Sequence, residues 1–215
     1  RFGTRSARKE HEDMTMKGLR ETLLEALEAH KQYPANKAQL AGKQSKPTDV
    51  RVPEEMAGLK GKYGAKLDYE GKVVQSCIHC HQIGDAQRDM YRASGKPLPE
   101  SLLFPYPHPK AIGLIIDPDS RATVKAVQAD TPAARAGFHP GDVIKSLNGQ
   151  PLLSIADAQW VLHHTPAAGG QISAEVTRDG TAQELTIELG SDWRQADEIS
   201  WRVSSWGLRR MTTGG

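Results

Sequence analysis

The chain has 215 residues, with 28 Lys and Arg against 26 Asp and Glu and a formal net charge of +2 at pH 7. That length suggests one or two domains, and the balanced charge gives no argument for a nucleic-acid or acidic-membrane partner. No run approaches the roughly 18 apolar residues of a membrane helix, so no membrane span is expected, and two cysteines alone exclude a disulfide framework. The start at Arg1 and the closing run MTTGG, with no visible signal-peptide pattern, suggest a piece of a longer protein.

Residues 1–12 are polar, basic and without period. From Thr15 to about His30 an amphipathic helix is predicted, because Met16, Leu19, Leu23, Leu27 and His30 recur at three- and four-residue steps with Leu24 beside them. It needs a surface to pack on. Residues 31–55 read as a linker punctuated by Pro34, Pro47 and Pro53, with short elements around Glu54–Leu59 and Leu67–Val74. A helix is predicted over Asp85–Ala93. The prolines at 97, 99, 105, 107 and 109 then argue against helix. From 111 to 190 the pattern turns to short strands: Ala111–Ile116, Thr123–Ala129, Asp142–Leu147, Ile172–Arg178 and Gln183–Leu189. Asn148-Gly149 and Asp179-Gly180 are hairpin turns. Helices are predicted at Thr131–Ala136 and Ile155–His164, the latter with Ser154 and Asp157 at capping positions. The tail holds Trp193, Trp201 and Trp206, which are expected to dock it on the body.

The segment Ser76-Cys77-Ile78-His79-Cys80-His81-Gln82 carries the pattern C-x-x-C-H. Two thiols three residues apart at the start of a helix match the two vinyl groups on one edge of a haem, and the histidine after the second thiol can reach the iron. Cys77 and Cys80 are the expected thioether residues of one covalently bound haem c, with His81 as the proximal ligand. The segment resembles class I cytochrome c haem segments. For the sixth iron position His108, stiffened by prolines on both sides, is the leading candidate, with Met90, Met211 and Met56 as alternatives and His30 behind them. A zinc site lacks a second cysteine pair. A thioredoxin-like dithiol, with Val73-Val74-Gln75-Ser76 as its strand, stays open.

Four features of residues 111–190 carry a second resemblance. Ala111-Ile112-Gly113-Leu114 has the form of a carboxylate-binding loop. Val124–Val127 leads into Asp130-Thr131-Pro132-Ala133-Ala134-Arg135-Ala136-Gly137. Phe138-His139-Pro140-Gly141-Asp142-Val143-Ile144 and Leu147-Asn148-Gly149-Gln150-Pro151 follow. Together they resemble a PDZ domain of the bacterial HtrA-like kind. The resemblance implies a peptide added as a strand beside 113–116 and facing the 155–164 helix. Ile112, Gly113, Leu114 and Ile115 would line that site, with Trp160 and His163, and Gln159 beside them, facing it from the helix. Ser154, Asp157, His163 and His164 crowd one short helix and suit capping better than catalysis, so no catalytic residue is expected. More distantly, the combination resembles multidomain bacterial proteins that join a thioredoxin-like domain, a C-x-x-C-H segment and PDZ domains.

The expected architecture is α+β. An N-terminal helix and linker occupy 1–50 and a small, mainly helical haem c segment occupies 51–110. A PDZ domain, a partly open barrel of about five strands with two helices, covers 111–190, and a Trp-rich tail covers 191–215. The expected function is that of a haem protein outside the cytoplasm, passing electrons to a redox partner protein or sensing redox state, and more an electron carrier than an enzyme. In it the PDZ domain docks a protein or C-terminal peptide. A PDZ scaffold in a larger complex and a thiol–disulfide oxidoreductase fragment using Cys77 and Cys80 are the alternatives.

Overall fold

The computed structural model describes residues 15–40, 50, 52–63, 66–71, 76–120, 122–191 and 193–196, without the side chains of 80, 81, 195 and 196. In chain order the elements are α1 (Met16–Lys31), α2 (Lys37–Leu40), α3 (Cys80–Ala93), α4 (Glu100–Leu103), β1 (Leu114–Ile116), β2 (Val124–Val127), α5 (Pro132–Arg135), β3 (Val143–Leu147), β4 (Gln150–Pro151), α6 (Ile155–His164), β5 (Gly170–Arg178) and β6 (Thr181–Leu189). Three 3-10 turns, Pro53–Glu55, Pro109–Ile112 and Trp193–Ala196, complete the set. The chain divides into two units, one drawn from 1–44 and 106–198, the other from 45–105 and 199–215.

In the first unit β1 and β2 form an antiparallel pair, and β4-β3-β5-β6 form an antiparallel four-stranded sheet. A bridge between Thr123 and Val143 ties the two together. Alternation builds the core: Ile172, Ala174 and Val176 of β5 point inward, against Ile187 and Leu189 of β6 and Ile144 and Leu147 of β3. Helix α6 closes the core with Ile155, Ala158, Val161 and Leu162. Both hairpin turns have positive φ at their central residues, 46° and 72° at Asn148 and Gly149, 49° and 81° at Asp179 and Gly180. That geometry follows the right-handed twist of the flanking strands and selects Asn-Gly and Asp-Gly. Asp157 caps α6 as its position suggests, Oδ2 accepting the N–H groups of Leu153 at 2.8 Å and Ser154 at 2.9 Å.

Two elements of this unit differ from the sequence expectation. The strand predicted from 111 begins only at Leu114, because Pro109 starts a 3-10 turn through Ile112 that Gly113 ends at φ 86°. Helix α1 forms as expected, but Met16, Leu23, Leu24 and Leu27 of its apolar stripe are exposed. It docks by its small, polar face instead. Gly18 is buried so close to Pro118 that an added Cβ would lie 1.8 Å from the Pro118 oxygen, and Thr15 Oγ1 donates to the same oxygen at 3.2 Å.

In the second unit α3 starts at Cys80, five residues before the predicted Asp85. The His79 N–H donates to Gln82 Oε1 at 2.6 Å, which fixes the first turn. Gln82 Nε2 donates in turn to the Tyr63 hydroxyl. Gly58 faces Ala86 of α3, and Leu59 and Ala86 are buried. The possible strand at 73–75, Met211, Trp201 and Trp206 lie outside the described residues.

Candidate functional site

Strand β1 is the edge from which the site is built. Its inner edge pairs with β2, in the register Leu114↔Val127 and Ile115↔Ala126. The Gln128 N–H donates to the Gly113 carbonyl at 2.9 Å, which makes Leu114 a non-hydrogen-bonded position of the ladder. Its N–H and C=O therefore face the outer edge. No strand pairs with that edge among the described residues.

Gly113 is required twice over. Its φ of 86° is left-handed, and an added Cβ would sit 2.0 Å from Thr131 Oγ1. The loop before it is closed rather than splayed: the Ala111 N–H donates to His108 O at 2.9 Å and the Gly113 N–H to Lys110 O at 3.0 Å. Ile112 and Leu114 are fully buried in the core. What these two residues present outward is main chain, not side chain. Ile115, between Leu114 and Ile116 on the pleat, is half-buried.

The facing wall is α6, against which the Pro109–Ile112 turn packs. Gln159 and His163, four residues apart, share a face. Both are engaged by Tyr106: the buried Gln159 donates from Nε2 to Tyr106 O at 3.1 Å, and the Tyr106 N–H donates to His163 Nδ1 at 3.3 Å. The two rings stack at 4.1 Å. Tyr106 holds this pose with a φ of 53°. Trp160 turns instead to His164, ring centroids 4.0 Å apart, and packs against the core. His163 is thus held against Tyr106, and Trp160 against His164 and the core.

The strap of residues 106–108 was not visible in the sequence, because Tyr106 reaches 53 positions along the chain to Gln159. Nor was the clamp behind α6. Trp193 Nε1 donates to Pro166 O at 2.8 Å, and Arg194 Nη2 donates to the carbonyls of Leu162, His163 and Thr165. Trp193 alone was signalled, as a tail aromatic. Behind the hairpins, the carboxylate of Asp142 accepts from Arg178 Nε and Nη2, both at 2.7 Å, and from the His139 N–H at 2.8 Å. Burial pushes this carboxyl up, but the Arg178 hydrogen bonds and the His139 N–H outweigh it, so it lies below its ordinary value.

Comparison with known proteins now fits this geometry. The PDZ domain family matches residues 110–189. This segment is a PDZ domain of the HtrA/DegP type. A probable periplasmic serine endoprotease DegP-like protein of Pseudomonas savastanoi is 40% identical over 76 residues, 35% of this chain and 16% of the relative. The periplasmic serine endoprotease DegP of Salmonella typhimurium is 38% identical over 74 residues, 34% of this chain and 15% of the relative. Among solved structures, a serine endoprotease from Yersinia pestis is 29% identical with a TM-score of 0.33, covering 37% of this chain and 28% of that one. The chain spans about a sixth of the length of these two curated relatives.

The C-x-x-C-H residues lie in the second unit. Cys77 is a half-buried free thiol just before α3, and Cys80 and His81 open that helix. His108 belongs to the PDZ unit. It is 5% exposed, and its Nδ1 accepts the Lys110 N–H at 3.2 Å as the cap of the 109–112 turn. Met56 and Met90 belong to the unit of the motif, Met56 half-buried after the Pro53–Glu55 turn and Met90 45% exposed on α3.

Proposed function

We propose that this chain acts as a peptide-binding module whose PDZ domain receives a free C-terminus as an added strand beside β1. The observation that carries this is the outer edge of β1, with the Leu114 N–H and C=O directed outward next to α6. Main-chain bonds of this kind give a strand-adding site its affinity, and pockets for alternate side chains give its selectivity. The extracytoplasmic location expected for the chain agrees with its relatives, which are named as periplasmic endoproteases. The module's place is that of a docking or scaffold part of a larger assembly. A titration of the chain with a library of free-C-terminus peptides tests this. Saturable binding that weakens when the terminus is amidated is the expected result, and absence of binding across the library overturns it.

A second reading concerns the other unit, and rests on the helix start. Cys77 precedes α3 with its thiol free, and Cys80 and His81 fall in the first turn, which is the backbone order that covalent haem attachment uses. In this reading Cys77 and Cys80 hold one haem c through thioethers and His81 holds the iron. The group would supply one-electron chemistry toward a redox partner protein. For the sixth position the described candidates in the same unit are Met56 and Met90. The test is the absorption spectrum of protein made with a haem-attachment system. A sharp reduced α band that survives denaturing electrophoresis and is lost in Cys77→Ala/Cys80→Ala supports it. A colourless protein whose two thiols cycle reversibly with a dithiol reagent favours the thiol–disulfide reading instead.

A further inference from the structure

The Trp193–Ala196 turn follows the matched PDZ segment, 110–189, yet touches both walls of the peptide site. It packs on the Pro109–Ile112 turn, which leads into Gly113 and β1. It also reaches the C-terminal end of α6. Arg194, 3% exposed, donates from Nη2 to Leu162 O at 3.3 Å, His163 O at 2.6 Å and Thr165 O at 2.5 Å. Trp193, 5% exposed, lies under the guanidinium, 5.1 Å from its carbon to the ring centroid, and donates to Pro166 O at 2.8 Å.

The electrostatics of this place matter to an anion. The last carbonyls of a helix lack intrahelical partners, and together they act as roughly half a negative charge. A peptide entering along β1 would bring its terminal carboxylate to the 109–113 loop, beside the carbonyls at the end of α6. Uncapped, those oxygens would oppose it. With one charged group Arg194 donates to two of them, Leu162 and His163, and to the carbonyl of Thr165 just past the helix.

We infer that Arg194 is a positioning and specificity residue of the peptide site: by capping α6 it lets the site accept a carboxylate rather than an uncharged terminus. This rests on the peptide-binding reading above, and it extends the functional domain past its family boundary. The side chain acts through the α6 carbonyls and needs no contact with the peptide.

The experiment compares one binding peptide with a free C-terminus against its C-terminal amide, on the full chain, by the ratio of their dissociation constants. The wild type should prefer the carboxylate roughly ten- to hundredfold, the range of a charge-assisted hydrogen bond. Arg194→Gln keeps donors but removes the charge, and should lower that ratio by about five- to tenfold. Arg194→Lys keeps the charge and should stay within about twofold of the wild type. Trp193→Phe loosens the clamp at Pro166 while leaving the guanidinium, and should keep the ratio. Equal weakening of both peptides by Arg194→Gln, or a ratio that falls as far in Trp193→Phe, would mean only a loosened site and overturns the inference. Should Arg194→Gln not fold, Arg194→Lys decides, since collapse of its ratio overturns the inference equally. A wild type that binds neither peptide overturns the peptide-binding reading itself, and this inference with it; a wild type that binds with an unchanged ratio in every variant overturns this inference alone.

Discussion

The two units differ most in what they bury. The PDZ unit closes a continuous core in which Ile112, Leu114, Leu147, Leu162, Ile172 and Ile187 are fully excluded from solvent. In the unit of the C-x-x-C-H segment, Leu59 and Ala86 are the buried apolar residues among those described. Hydrophobic burial scales with area removed from water, about 25 cal/mol per Å², so among the described side chains the first unit gains far more from burial than the second. Small units of this kind usually gain a staple, whether a metal, a disulfide or a covalent group.

The sharpest way to break the comparison is to truncate one leucine in each unit. Leu147→Ala should lower the stability of the PDZ transition by about 3 kcal/mol, the middle of the range for fully buried leucines, seen as a shifted denaturant midpoint. Leu59→Ala, 5% exposed beside α3, should leave that transition in place. If both variants move the same transition equally, the units fold as one and the contrast between them fails.

Legibility followed the same divide. The β5–β6 hairpin was readable because Asp179-Gly180 demands positive φ at both positions and the flanking residues alternate. The capping of α6 was readable because Asp157 sits three residues after Ser154, where a carboxylate meets free N–H groups. Contacts that span the chain left no periodic trace. Arg194 meets His163 across 31 positions, and nothing in its neighbours signals a cap. Periodicity also misdirected the reading of α1, since its leucine stripe suggests a buried face while Gly18 makes the close approach. In the second unit α3 was predicted too short because its start depends on Gln82 folding back to the His79 N–H, a local bond that hydrophobic spacing does not reveal.

Gly113→Ala should come next in size. Left-handed φ costs a residue with a Cβ about 1–2 kcal/mol, and here the Cβ also meets Thr131. Peptide titration should show weakened binding together with a lowered melting temperature. A variant that keeps both would show that the 109–113 loop relaxes freely and is no fixed wall of the site.

A smaller, graded loss is expected in acid. The folded Asp142 carboxyl lies below its ordinary value, so the unfolded chain binds its proton more readily. Its contribution is present above the unfolded pKa and is lost as pH falls through the folded one. PDZ stability measured between neutral and strongly acidic pH should therefore decline only below the ordinary carboxylate range. Asp142→Asn should flatten that part of the decline while lowering stability at neutral pH. A decline of unchanged depth in Asp142→Asn would assign the acid sensitivity to other carboxylates.

The smallest effect separates α1 from the rest of its own unit. Thr15 accepts the Gly18 N–H at 3.0 Å and donates to Pro118 O at 3.2 Å, so one hydroxyl both caps the helix and holds its start to the loop after β1. Thr15→Ala should cost about 1 kcal/mol, the usual worth of an N-cap. Because Leu23, Leu24 and Leu27 of α1 are exposed and no α1 residue joins the PDZ core, that cost should stay local. Hydrogen exchange should quicken in the first turns of α1 and remain unchanged in β3, β5 and β6. Faster exchange in the sheet as well would mean that α1 is coupled to the core through contacts beyond its first turn, and that the PDZ fold depends on a helix outside the segment its family matches.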